Sequence, residues 1–114
     1  MSKLKHLAPA QPVIEKPGPE RLLEGDPEFR SWPCSGEGPV QAGFWAATPG
    51  LHRMDRTGAG IEHFYLLEGE IELTEDGGAP RSFAAGDLVR IDPDFQGTWR
   101  TISPVRKVFF YVDP

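Results

Sequence analysis

Thiols and cations are both in short supply in this 114-residue chain. Cys34 is the only cysteine, so an internal disulfide is excluded. It lies in Pro33-Cys34-Ser35, a linker-like context in which the thiol reads as inert; reactivity needs a base or a helix N-terminus beside it. Twelve Lys and Arg face seventeen Asp and Glu, a formal net charge of −5. That deficit argues against nucleic acid as the main partner, because phosphate binding needs a concentrated basic surface. Long apolar runs are missing too. The longest, Val108 to Val112, is far too short to span a bilayer, so no membrane association is expected. Lys3 and Lys5 lead into Pro-rich polar sequence rather than an apolar core, so no signal peptide is expected and the default location is cytoplasmic.

Turn formers, by contrast, are abundant. Thirteen Gly and twelve Pro favour many short strands over long helices, and the length suits one hydrophobic core. Residues 1–20 carry Pro9, Pro12, Pro17 and Pro19 and read as a flexible or extended arm, with Val13-Ile14 able to pair onto a sheet edge. In a small β-domain such an arm often crosses to a second subunit. Residues 21–114 read as a single domain. Pro19 to Gly25 is expected to make one helical turn stopped by Gly25. Ser35 to Pro39 reads as a loop. Strands follow at Val40–Ala47, Leu51–Arg56, Arg81–Phe83, Leu88–Ile91, Gly97–Ile102 and Val105–Val112, the fourth of these expected to be buried.

The stretch that organises the rest is Ile61 to Thr74. It is rich in β-branched, aromatic and leucyl residues, is broken once by Gly69, and closes on Asp76-Gly77-Gly78. That pattern predicts a strand, a sharp corner at Gly69, and a second strand ending in a hairpin. Eight or more short strands with closely spaced turns point to a barrel or sandwich, and closure of the sheet would remove exposed edges.

Two spaced motifs then become visible. Gly50, Glu62 and Gly69 fall on the frame G-x5-H-x-H-x3-E-x6-G, and Gly86-Asp87 through Gly97 falls on G-x5-P-x-G-x2-H-x3-N. These are the two cupin motifs. The phrases Phe44-Trp45, Thr48-Pro49-Gly50, Leu67-Glu68-Gly69, Ala85-Gly86-Asp87, Phe95-Gln96-Gly97-Thr98-Trp99 and Val105-Arg106-Lys107 resemble the cupin domain related to (S)-ureidoglycine aminohydrolase. The resemblance covers roughly residues 20–112. It implies an all-β fold, a cupin (RmlC-like) jelly-roll β-barrel behind an extended N-terminal arm, commonly a homodimer, with its ligand site inside the barrel.

The departures from the frame carry the chemistry. In metal-binding cupins two His and a Glu of the first motif and a His of the second hold the ion. Here the His positions are Arg56, Gly58 and Gly97, and only Glu62 remains. A durable transition-metal site needs about three protein ligands, largely imidazoles, so no metal and no cofactor is expected. Arg56 would stand in for the ion, paired to Glu62 or to an anionic ligand, and a bidentate pair would be strong and oriented. Asp92 and Asp94 replace the Pro and Gly of the second motif.

Strand alternation places Glu62, Phe64 and Leu66 on one face and His63 and Tyr65 on the other. His52, Met54 and Arg56 share a face, as do Gly97, Trp99 and Thr101. The candidate pocket is therefore His52, Met54, Arg56, Glu62, Phe64 and Trp99, with Trp45 or Phe44 as a wall, and Glu62 as the candidate catalytic carboxylate. Of Arg106 and Lys107 only one can face inward; an inward Lys107 would be an acid, a base or an anion anchor. The function expected is a small-molecule-binding cupin without the His-based metal site, taking an anionic metabolite. The alternatives are a metal-dependent enzyme of the aminohydrolase or isomerase kind, with Glu62 as ligand or acid/base, and a structural module with a filled interior.

Overall fold

The computed structural model describes residues 2–34 and 38–114. Ser35 to Glu37, most of the loop expected before Val40, lie outside the described residues. Eleven strands run in chain order: β1 (Val13–Glu15), β2 (Leu22–Gly25), β3 (Phe29–Pro33), β4 (Val40–Ala47), β5 (Gly50–Asp55), β6 (Ile61–Glu68), β7 (Glu70–Glu75), β8 (Arg81–Ala84), β9 (Leu88–Ile91), β10 (Gln96–Thr101) and β11 (Val105–Val112). They form a six-stranded sheet, β1-β3-β4-β11-β6-β9, and a five-stranded sheet, β2-β5-β10-β7-β8. All pairings are antiparallel. This is an all-β jelly-roll arrangement, and no helix among the described residues is long and apolar enough to cross a membrane.

Gly69 is the corner. β6 lies in the six-stranded sheet and β7 in the five-stranded one, so the chain changes sheets at this residue. Gly69 takes φ 90°, and a Cβ there would collide with the Pro104 carbonyl oxygen. Only glycine combines that dihedral with so close a backbone approach. β7 then returns through a turn at Gly77 to pair with β8.

Two expectations are corrected. The sheets face one another but do not close into a barrel; β1 and β9 bound one sheet and β2 and β8 the other, so four edges remain. Leu22 to Gly25 form a strand, not a helical turn, because β2 docks on the edge of β5 and its backbone groups pair there. A lone helical turn has no comparable source of stability. The arm pairs as its sequence suggests, with Val13 and Ile14 opposite Ser31 and Arg30 of β3. β9 is buried on one face only: Ile91 is 3% exposed and Leu88 70%.

The core sits between the sheets. Phe64, Leu66 and Ile71 are fully buried and Trp99 nearly so. They come from alternate positions of β6, β7 and β10, as period-two burial requires.

Candidate functional site

One end of the inter-sheet space stays open as a cavity of about 490 Å³, within the usual size range of small-molecule sites. Trp45, His52, Met54, Arg56, Glu62 and Trp99 all line it, as the strand alternation predicts. Phe64 does not. It is wholly buried beneath the cavity, its ring 5.5 Å from that of Trp99, and serves as core. Phe44 lies on the opposite face of β4 from Trp45, so Trp45 supplies the wall.

Lys107 is the residue that sequence reasoning left undecided. Lys107 pairs with Trp45 of β4 and Leu66 of β6, two inward-facing positions, and so points inward itself. Its Nζ donates to Glu62 Oε2 at 2.7 Å. The same ammonium lies 4.5 Å from the Phe64 ring centroid and 4.9 Å from those of Trp45 and Trp99. Three ring faces around one cation replace part of its lost hydration. Burial still pulls the Lys107 pKa below the ordinary lysine value, against the pull of Glu62 in the other direction.

Arg56 sits just past the end of β5, and its Nη2 is 3.3 Å from Glu62 Oε1. This is one contact, not the bidentate fork expected. The guanidinium instead lies over the Tyr111 ring, 5.6 Å from its centroid, and its Nε is buried without a partner. Glu62 thus has a cation on each oxygen, and the closer one is Lys107. Two cations against one carboxylate leave this trio with a formal charge of +1.

His52 lines the same cavity, close enough to Lys107 to feel its charge. It is 4% exposed, between the rings of Phe29 at 4.8 Å and Trp99 at 6.3 Å. Burial first, then the positive charges of Arg21 and Lys107, push its pKa down to about 4. The imidazole is therefore neutral at physiological pH, with a buried Nδ1 that has no hydrogen-bond partner. Trp99 is satisfied, its Nε1 donating to Thr101 at 3.0 Å.

The motif departures acquire geometry here. A Cβ at Gly97 would run into the Thr74 carbonyl oxygen and come within 2.9 Å of the Phe95 ring, so no side chain fits. Gly58 lies in an exposed turn, its N–H donating to Asp94 Oδ1 at 3.1 Å. Asp94 adopts φ 68°, the left-handed conformation for which the pattern uses glycine. Among the described residues, no three His, Cys, Asp or Glu side chains gather as a metal-binding group.

A family model, the EutQ-like cupin domain, matches residues 34–109. The chain belongs to that family. As a EutQ-like cupin it is similar to the EutQ protein of Clostridium difficile, at 14% identity over 76% of this chain and 69% of that one, with a TM-score of 0.67. It is similar also to a protein of unknown function from Pseudomonas syringae pv. tomato (24% identity, TM-score 0.72), covering 96% of this chain but only 46% of the longer one. The ectoine synthase of P. lautus matches at 19% identity over 75% of this chain and 64% of that one, with a TM-score of 0.67. At these identities the likeness is one of fold. No curated protein matches.

Proposed function

We propose that this cupin binds a small anionic metabolite in the inter-sheet cavity without a metal ion. One observation carries the reading: the space beside Glu62 is taken by the Lys107 ammonium at 2.7 Å and the Arg56 guanidinium at 3.3 Å. The metal that the cupin pattern implies does not fit this donor set. Of the four ligand positions only Glu62 carries a donor, and position 97 has no room for one. The surplus positive charge favours an acid group as ligand. Trp45, Trp99 and Phe109 supply the apolar wall against which its body would lie.

Aminohydrolase activity draws no particular support from the cavity. Of the phrases that resemble that domain, only Trp45, Trp99 and Lys107 reach the cavity; the rest build the corner, the turns, the outer faces and, at Val105 and Phe95, the core. Both oxygens of Glu62 are already engaged, which suits a positioning carboxylate better than a ligand for a metal.

Two measurements on untagged protein test this reading. Elemental analysis is expected to find no stoichiometric Mn, Fe, Ni or Zn, and any of them at one per chain overturns it. Titration calorimetry with small carboxylates is expected to show saturable binding that Arg56→Gln weakens; absence of any binding also overturns it.

We propose in addition that the chain self-associates through the outer face of the six-stranded sheet. Tyr65, Leu67, Leu88 and Phe110 are each at least 40% exposed on that face or its border, and contiguous apolar surface of this kind marks interaction sites. Phe110→Glu is expected to shift a dimer to a monomer in analytical ultracentrifugation, whereas a wild-type monomer refutes the proposal.

A further inference from the structure

The cavity has a second guanidinium that neither motif announces. Arg21 lies just before β2, and its backbone carbonyl accepts from Arg53 N–H of β5 at 2.8 Å. Its own Nε donates to the Arg53 carbonyl at 3.1 Å, which fixes the side chain without any carboxylate. The remaining guanidinium donors stay available, and Arg21 lines the same cavity as Arg56.

The two arginines are anchored at different points along β5. Arg21 is tied at Arg53, and Arg56 follows three residues further, roughly 10 Å of strand at ~3.3 Å per residue. The same cavity carries an aromatic wall and neutral His52, whose pKa Arg21 helps to hold down. The cavity also holds two carboxylates, and both keep their charge. Glu62 holds Lys107 and Arg56, and exposed Asp55 accepts from the Thr57 hydroxyl at 2.6 Å and the Thr57 N–H at 3.0 Å. The cavity thus holds two separately anchored guanidiniums, Arg56 beside Glu62 and Arg21 tied at Arg53, each with donors to spare.

We propose that the ligand is a dianion, two acid groups held apart by an apolar or planar body, with Arg56 taking the inner acid and Arg21 the outer. The proposal rests on the anion-binding reading above and adds the second acid. Arg21 is then the residue that separates diacids from monoacids. A guanidinium at the rim is partly solvated, which sets the expected gain at about five- to tenfold.

The probes are adipate against hexanoate and terephthalate against benzoate, measured by calorimetry at low ionic strength. For at least one pair the diacid is expected to bind about five- to tenfold tighter than its monoacid. Arg21→Gln is expected to remove that advantage by weakening the diacid more than the monoacid. Arg30→Gln, the same loss of charge on the outer face of β3, is expected to preserve it. Monoacids that bind while diacids bind no tighter overturn the dianion proposal and leave the anion reading standing, as does an advantage that survives Arg21→Gln. If none of the four acids binds, both fall.

Discussion

Arg106 and Lys107 are consecutive residues of β11 and inhabit opposite faces of one sheet. Each sits among aromatic rings. Lys107 faces inward, among Phe64, Trp45 and Trp99, with Glu62 at 2.7 Å. Arg106 faces outward, 5.2 Å from the Trp32 ring centroid and 5.1 Å from that of Phe44, and its buried Nε has no partner. The inner cation has a countercharge and little water; the outer one has rings and, among the described residues, no carboxylate within ion-pair distance. Aromatic faces alone thus serve to seat a charge at the surface, whereas a fully desolvated ammonium keeps an acid beside it. The cost of losing each should differ accordingly.

The largest effect is expected at the inner cation. Lys107→Ala leaves Glu62 buried with only the off-centre Arg56 contact, and should cost about 3–5 kcal/mol in urea unfolding. Replacing both partners, Lys107→Met with Glu62→Leu, should recover most of that loss, since an apolar pair of similar volume removes the desolvation cost as well. A double variant no more stable than Lys107→Ala would mean that the pair is not the source.

Next comes pH. His52 is neutral in the folded protein down to about pH 4 and takes up a proton near pH 6.5 when unfolded. The unfolded state therefore binds more protons between these values, and stability falls as pH drops from 6.5 toward 4. The shift of about 2.5 units bounds the loss at about 3 kcal/mol. His52→Gln should flatten that part of the stability–pH curve, and an unchanged slope would place the proton elsewhere.

Smaller effects belong to the outer cation and the cavity rim. Arg106→Ala should cost about 1–2 kcal/mol through two lost ring contacts, clearly less than Lys107→Ala; equal losses would erase the contrast between the faces. Arg56→Ala is the mildest. The 3–5 kcal/mol appropriate to a buried pair does not apply to a side chain that is 24% exposed with a single 3.3 Å contact. About 1 kcal/mol is expected, read as a small drop in melting temperature.

The contrast also shows where sequence is informative. Gly69, the paired motif frames and the period-two burial of β6 were legible because each rests on a local rule: a forbidden dihedral, a spacing, an alternation. The Arg56–Glu62 contact followed from the frame as well. The inward turn of Lys107 did not, because Val105, Lys107 and Phe109 are no more apolar as a set than Arg106, Val108 and Phe110. Its direction is settled by how β11 pairs with β4 and β6, a property of three strands together. For the same reason β2 was mistaken for a helical turn and the open sandwich for a closed barrel. Strand partners and sheet edges are non-local, and Leu22-Leu23 gives no sign that β5 will receive it. The fate of Phe64 was half legible: alternation gave its face, while only packing shows that Lys107 and Trp99 stand between it and the open space.

The crowding around Gly97 bears on how this protein would be re-engineered. Restoring a metal centre is not a matter of putting three imidazoles back into the motif. A histidine at 97 would first require β7 to move away from β10, since the Thr74 carbonyl occupies the volume that the new side chain needs. At position 97 the close pairing of these two strands and a metal-binding side chain exclude one another, and a back-substitution library confined to positions 56, 58 and 97 should return misfolded chains before it returns a metalloprotein.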